Sequence, residues 1–363
     1  MREASTVTIL LSNDDVTRLL NVADCMTAME QAYVDLAQGR GVNRTRSDSI
    51  TGIAGRPDAI YGLKTMDGIV PSLGVGAVRI NSDVITWPKV GNSQRRTKVP
   101  AANGRWVGLV LLFSCETGEP LAIMPDGVMQ RIRVAAANGI GAKYMARTDA
   151  SDVAIIGSGW QAGSQLMAIQ AVRPVKRIRC WSPSAENRAE FAADMTTQLG
   201  LDVEPVAAVE DAVRGADIVL CATSAIDPVY FAPWLVPGVH LSSIKKSEIE
   251  GAALARVDRI ALHLHEDKPL TYVEAGVSAA DSEGDKGWGT DLGIDFATLP
   301  TIADLITGAY KGRTRPEETT AFLNNLGMGY QFAVAGALVW RKAVEQGIGR
   351  EFPTEWFTED VHP

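Results

Sequence analysis

Ten residues constrain this chain more than any other stretch: Val153-Ala154-Ile155-Ile156-Gly157-Ser158-Gly159-Trp160-Gln161-Ala162. Asp152 and the apolar run from Val153 to Ile156 read as a buried strand, and Gln165-Leu166-Met167-Ala168-Ile169 continues as a helix. Between them Gly157, Gly159 and Ala162 fall on the spacing G-x-G-x-x-(G/A), a dinucleotide fingerprint only when a strand precedes it and a helix follows. Both flanks comply. The first glycine permits a tight turn, the second lets a diphosphate approach the backbone, and the small third residue lets helix pack on strand. The diphosphate then meets the helix N-terminus, where free N–H groups and the dipole favour negative charge. The plainer alternative is a glycine turn in an α/β protein that binds no nucleotide, and the strand–turn–helix context weighs against it.

The surrounding residues extend the pattern. Stretches 177–181, 216–223, 238–244 and 259–263 read as strands, and 184–199 as a helix. Alternating strands and helices imply right-handed crossovers and a parallel sheet. Ligands in such sheets bind beyond the strand carboxyl ends, which gathers Ser182, Thr223 and Ser243 around one crevice. Residues 43–125 are different. Short apolar runs at 59–64, 76–80, 106–113 and 120–124 are separated by turn signals, with a hairpin turn at Cys115-Glu116-Thr117-Gly118-Glu119. Residues 89–98, with Arg95, Arg96 and Lys98, read as a solvated basic loop, with contact to a cofactor phosphate the alternative. At the start, 7–11 reads as a strand, Ser12 and Asp15 have capping-box spacing, and a helix from Asp24 to Gln38 stops at Gly39.

A helix over 127–146 carries Met129, Ile132, Ala136 and Ile140 as one apolar stripe. Arg131 and Arg133 lie about 100° to either side of Ile132. At most one faces a site near the core, and periodicity does not choose. Residues 266–326 read as loop plus a short helix at 301–308. Residues 317–348 read as a helix rich in small residues (Gly327, Gly329, Ala333, Ala335, Gly336, Ala337), suited to close packing.

The 363 residues suggest about two domains. No run of eighteen apolar residues predicts a membrane span, and a net charge of −8 disfavours nucleic acid as a partner. Cys25, Cys115, Cys180 and Cys221 are dispersed, which argues against a disulfide framework or zinc site and fits a cytoplasmic location. Four histidines, far apart except for His263 and His265, give no reason to expect a metal. An NAD site places a carboxylate after the second strand to hold the ribose 2′-hydroxyl. Here that strand ends in Trp181-Ser182-Pro183-Ser184, with Arg188 following and Glu186 the nearest acid. Hydroxyls plus Arg188 suit a 2′-phosphate, so NADP is the expected cofactor and NAD, held through Glu186, the alternative.

Gly157-Ser158-Gly159-Trp160-Gln161-Ala162 resembles the G-x-G-x-Q-A signature of the ornithine cyclodeaminase/mu-crystallin family. The resemblance runs almost the full chain. Its landmarks include Glu116-Thr117-Gly118-Glu119-Pro120-Leu121-Ala122, Asp126-Gly127, Arg133-Val134-Ala135-Ala136, Ala216-Asp217-Ile218-Val219, Ala222-Thr223 and Pro237-Gly238-Val239-His240. It implies an α/β chain with a Rossmann-type dinucleotide-binding domain (147–317) inserted in an α+β substrate and dimerisation domain (1–146 with 318–363). It also implies a homodimer joined through the non-Rossmann domain. Family members act on α-amino or α-imino acids by hydride transfer at Cα, as cyclodeaminases, amino-acid dehydrogenases or ketimine reductases.

By the same resemblance, the family's helix arginine maps to Arg133, whose planar guanidinium can hold a substrate carboxylate bidentately. A second carboxylate arginine maps to Arg44 or Arg46. The family's strand lysine maps to Arg79, a departure, since lysine shifts its pKa readily and arginine stays charged. Lys64, with Met66 near it in the pocket wall, is the alternative amine. Thr223 and Ser243, flanked by Ala222 and Ile244, would line the nicotinamide ribose. Two further departures are Ile244-Lys245-Lys246-Ser247-Glu248, where cyclodeaminases carry an aspartate, and Phe332, where many members have aspartate. The expected activity is therefore an NAD(P)-dependent oxidoreductase on a small α-amino or α-imino acid. The alternatives are a cyclodeaminase-like lyase that releases ammonia with internal cofactor recycling, and a non-catalytic NADPH-binding protein. The segments 89–105 and 268–290 are expected to shape the pocket for the substrate side chain.

Overall fold

The computed structural model describes residues 7–90, 93–94, 97–225, 227–245, 247–265, 269–277 and 294–361. Two compact units emerge, one formed by 1–130, 267–284 and 327–363, the other by 131–266 and 285–326.

In the second unit the fingerprint strand Asp152–Ile156 is an inner strand of a parallel sheet, third of seven. The seven strands run in the order Val203–Pro205, Arg177–Trp181, Asp152–Ile156, Ile218–Cys221, His240–Ser243, Thr320–Leu323, Arg259–Leu262. Every adjacent pair is parallel. The central strands are apolar on both faces, as a doubly covered sheet requires. Val153, Ile155, Ile178 and Leu220 pack on one side with Leu166 and Ile169 of the fingerprint helix. Ala154, Ile156, Val219 and Leu241 pack on the other with Tyr230 and Leu254. The α/β class and the parallel sheet expected from the alternation are present.

Thr320–Leu323 corrects the reading of 317–348 as one helix. These four residues are wholly buried strand, and the helix begins at Gly329. A four-residue apolar segment is too short for periodicity to type. The strand also shifts the boundary. Residues 318–326 lie in the parallel-sheet unit, not with the C-terminal helix, and the other boundary falls at 130/131, inside the helix Gly127–Met145.

The first unit is built on a ten-stranded, mostly antiparallel sheet. Its centre is Arg56–Val70, Val75–Thr86 and Val107–Ser114, the first two longer than the apolar runs predicted there. One face carries Gly68, Val70, Val75, Ala77 and Leu112 against the C-terminal helix Gly329–Gln346. The approach is closest where Gly68 meets Gly329 and Tyr330, because a Cβ on either glycine would overlap the other segment's backbone. Gly41 makes room for the Tyr330 ring in the same way. The Tyr330 hydroxyl donates to the Ala32 carbonyl (2.9 Å), which ties in the helix Val22–Ala37. The predicted basic loop includes a short hairpin of Lys89–Val90 and Ser93–Gln94. Arg95 and Arg96 lie outside the described residues, and Lys98 pairs with Asp83 (2.8 Å). No helix among the described residues is long and apolar enough to cross a membrane.

Gly68→Ala should destabilise the first unit by about 1–3 kcal/mol, the usual cost of forcing a methyl into a filled contact. Denaturant unfolding will report it as a lower midpoint; an unchanged midpoint would mean that helix and strand are not in close contact there.

Candidate active site

The site is best built from the turn after Asp152–Ile156. Gly157 has φ +118°, a conformation glycine adopts freely. A Cβ at this position would overlap the Ala222 carbonyl, which terminates the neighbouring strand. Gly159 then caps the helix Trp160–Gln170 without a side chain to bond its first N–H groups, and the space around its Cα is open. Ala162 is fully buried, as the third fingerprint position requires. The turn thus offers an uncapped helix start with a positive dipole end, the arrangement that receives a diphosphate.

The neighbouring strand ends converge as the topology predicts. Ser158 Oγ donates to Ser182 Oγ (2.9 Å). Ser184 caps the helix Ala185–Leu199 by accepting from the Asn187 N–H, and Pro183 is exposed beside it. Arg188 donates from Nη1 to the Ser182 carbonyl, so its cation is fixed at the end of the second strand, while Glu186 is exposed in the first helical turn.

Sequence reasoning gave Glu248 no role in organising this edge. Its side chain is fully buried and accepts from Thr223 N (2.6 Å), Thr223 Oγ1 (2.9 Å), Ile244 N (2.9 Å) and Lys245 N (3.2 Å). One carboxylate therefore fixes the residues that follow two adjacent strands. Burial raises its pKa against the lowering effect of those N–H donors. The only signal in the sequence was an acid near an apolar strand end. Ser243 is buried next to it, and its Oγ has no hydrogen-bond partner among the described residues. That orphaned hydroxyl, the open turn and the fixed Thr223 fit a nicotinamide dinucleotide lying along the strand ends.

Of the two helix arginines, Arg133 is buried and Arg131 only half-buried. The helix segment that follows Arg133 is stitched to the same sheet edge: Asn324 donates from Nδ2 to the Val134 carbonyl (3.1 Å) and to Asn138 Oδ1 (2.9 Å). His263, just past the strand Arg259–Leu262, donates from Nδ1 to the Leu326 carbonyl (2.7 Å). Burial and the nearby Arg133 charge push its pKa down to about 3, so it is neutral at physiological pH. Arg131 lies instead over the Trp160 ring, 4.1 Å from its centre.

The remaining predicted residues belong to the first unit, on the sheet face that also carries the C-terminal helix. Cross-strand pairing sets Lys64 between Asp48 and Asn81, and Met66 opposite Arg79. All five are buried. Arg79 is held by Asp126 through Nε (2.7 Å) and Nη2 (2.6 Å), with the Phe332 ring 5.4 Å from its Cζ. Gly108 makes that pair possible, since a Cβ there would overlap the Asp126 carboxylate. Arg46 binds Asp48 through Nε and Nη2, both 2.9 Å. Arg44 pairs with Asp67 (3.0 Å), which points to the other face, and is more exposed. Of the two early arginines, Arg46 is therefore on the polar face with Lys64.

Several known proteins are similar to this chain. The Delta(1)-pyrroline-2-carboxylate reductase of Bacillus cereus is 29% identical over 251 residues, which is 67% of this chain and 73% of that protein. The Thermococcus litoralis Delta(1)-pyrroline-2-carboxylate reductase, solved with NADH and L-proline, superposes with a TM-score of 0.75 at 23% identity, over 94% of this chain and 99% of that one. An archaeal alanine dehydrogenase dimer with bound NAD gives 0.71 at 22%, over 95% and 99%. At these identities the two structures speak for the fold. The family model described as ornithine cyclodeaminase/mu-crystallin matches residues 6–347. The chain belongs to the ornithine cyclodeaminase/mu-crystallin family.

Proposed function

We propose that this chain is an NAD(P)-dependent oxidoreductase that reduces the C=N bond of a small α-imino acid, and in reverse oxidises the amino acid, with NADP(H) preferred. The observation that carries the reading is the buried Arg133 beside a neutral His263 on the same sheet edge as the fingerprint turn. A nicotinamide cofactor, when bound, supplies or accepts the hydride at Cα. The chain's own residues do the rest. Arg133 holds the substrate carboxylate, and His263, being neutral, adds no repulsion. Thr223, fixed by Glu248, and Ser243 orient the nicotinamide ribose. The carbon gains a hydride, the nitrogen a proton, and the amine results. Lys64 is the better candidate for handling that proton, because Arg79 is committed to Asp126 and remains charged. The pyrroline-2-carboxylate reductase relatives support the reaction class. The segment Ile244-Lys245-Lys246-Ser247-Glu248, without the aspartate that cyclodeaminases carry after this strand, argues against the lyase alternative.

Preference for NADP(H) rests on Arg188 at the Ser182 carbonyl, with Ser182 and Ser184 beside it. The homodimer reading rests on the sheet face opposite the C-terminal helix, where Leu63, Ile69, Val107 and Leu109 are each 38–44% exposed. A patch of that kind marks a protein interface.

Cyclic and linear imino acids should therefore drive net oxidation of NADPH, and Arg133→Ala should cut kcat/KM by about a hundredfold or more, the scale of a lost charge-assisted pair. Ammonia release from a diamino acid with no net change in nicotinamide would point to the lyase, and tight NADPH binding without turnover to a binding protein. Arg188→Ala should raise the KM for NADPH about tenfold and leave that for NADH nearly unchanged; equal changes would remove the case for a 2′-phosphate contact. Paired Ile69→Asp and Leu109→Asp substitutions should convert a dimer to a monomer in light scattering, whereas a dimer that survives both must use another face.

A further inference from the structure

We propose that Arg131, braced by Trp160, is a cofactor-binding residue that grips the diphosphate of the dinucleotide, an inference that rests on the dinucleotide reading of the turn. Arg173 and Arg179, two buried guanidinium groups of this unit, are held through their terminal nitrogens, although the Nε of each has no hydrogen-bond partner. Arg173 donates to the carbonyls of Ala142, Lys143 and Ala146, and Arg179 to Asp152 and to two carbonyls. Arg131 is the contrast. Its Nε is likewise buried without a partner, but among the described residues no hydrogen bond holds its terminal nitrogens and no carboxylate pairs with it. Burial lowers its pKa with no opposing charge to raise it.

Its location makes the missing anion more telling. Trp160 is the first residue of the fingerprint helix, and the guanidinium stacks on its indole 4.1 Å from the ring centre. Cations are disfavoured at helix N-termini, where the dipole is positive. Here a guanidinium is placed against an uncapped one and oriented by a large aromatic face, itself 61% exposed. Two positive ends brought together without a carboxylate make sense when a dianionic group lies between them. The diphosphate bridge meets that need, and a guanidinium matches its oxygens bidentately. In this arrangement Arg131 touches the cofactor, and Trp160 is a positioning residue.

The test is titration calorimetry of NADH and NADPH into the full chain and its variants, with thermal midpoints recorded for each. Arg131→Ala and the bulkier Arg131→Gln should weaken both dinucleotides by about tenfold to a hundredfold and by the same factor, since the diphosphate is common to them. Arg131→Lys should recover part of the loss. Trp160→Leu should weaken both moderately, and Trp160→Phe, which keeps an aromatic face, should restore most of it. Unaltered binding by both Arg131→Ala and Arg131→Gln overturns the proposal while leaving the dinucleotide reading intact. A loss confined to NADPH also overturns it, because the contact would then be to the 2′-phosphate. If the unmodified chain binds neither dinucleotide, the reading of the turn itself fails.

Discussion

The contact between Gly157 and the Ala222 carbonyl is the constraint on which the site depends. Two adjacent parallel strands end at the same level, and the chain leaving the first must turn over the end of the second. Only a residue without Cβ, at φ +118°, permits that. The turn then delivers Gly159 as an uncapped helix start and buries Ala162 against the sheet. Any side chain at Gly157 would push the two strand ends apart, and with them the bonds that gather Thr223 and Ile244 around Glu248.

Glu248 is the second element of the design. A buried carboxylate with four donors is stable only while all of them stay in place. It therefore trades solvation for rigidity at the ends of two adjacent strands. The first unit uses the same device with opposite charge. Arg79 is buried against Asp126, and the half-buried Arg46 is held by the buried Asp48. Arg79 is compensated within the chain by Asp126 and by the Phe332 ring it lies over.

The fingerprint, the alternating strands and the long helix could be read in the sequence because each has a strong local signature: a glycine spacing, a period of two or an apolar stripe. Periodicity does not choose between Arg131 and Arg133, and only the family resemblance points to Arg133. Both flank the stripe equally, and only the tertiary surroundings bury one and stack the other. Thr320–Leu323 was misread because four apolar residues next to a helix share its composition; its partners, His240–Ser243 and Arg259–Leu262, are more than fifty residues away. Glu248 was missed for a related reason. Its role lies in backbone donors that follow two different strands, and no local pattern encodes them. The early arginines were undecided because strand alternation near 42–53 is broken by short segments, and cross-strand register was needed to put Arg46 on the polar face.

Hydride transfer to Cα is the central claim, and isotope transfer tests it most directly. The chain would be incubated with C4-deuterated NADPH and a cyclic α-imino acid, and the product examined by mass spectrometry and proton NMR. One deuterium on the α-carbon of the amino acid, of a single configuration, is the predicted result. Product free of deuterium, or no amino acid at all under conditions where NADPH binds, would contradict it.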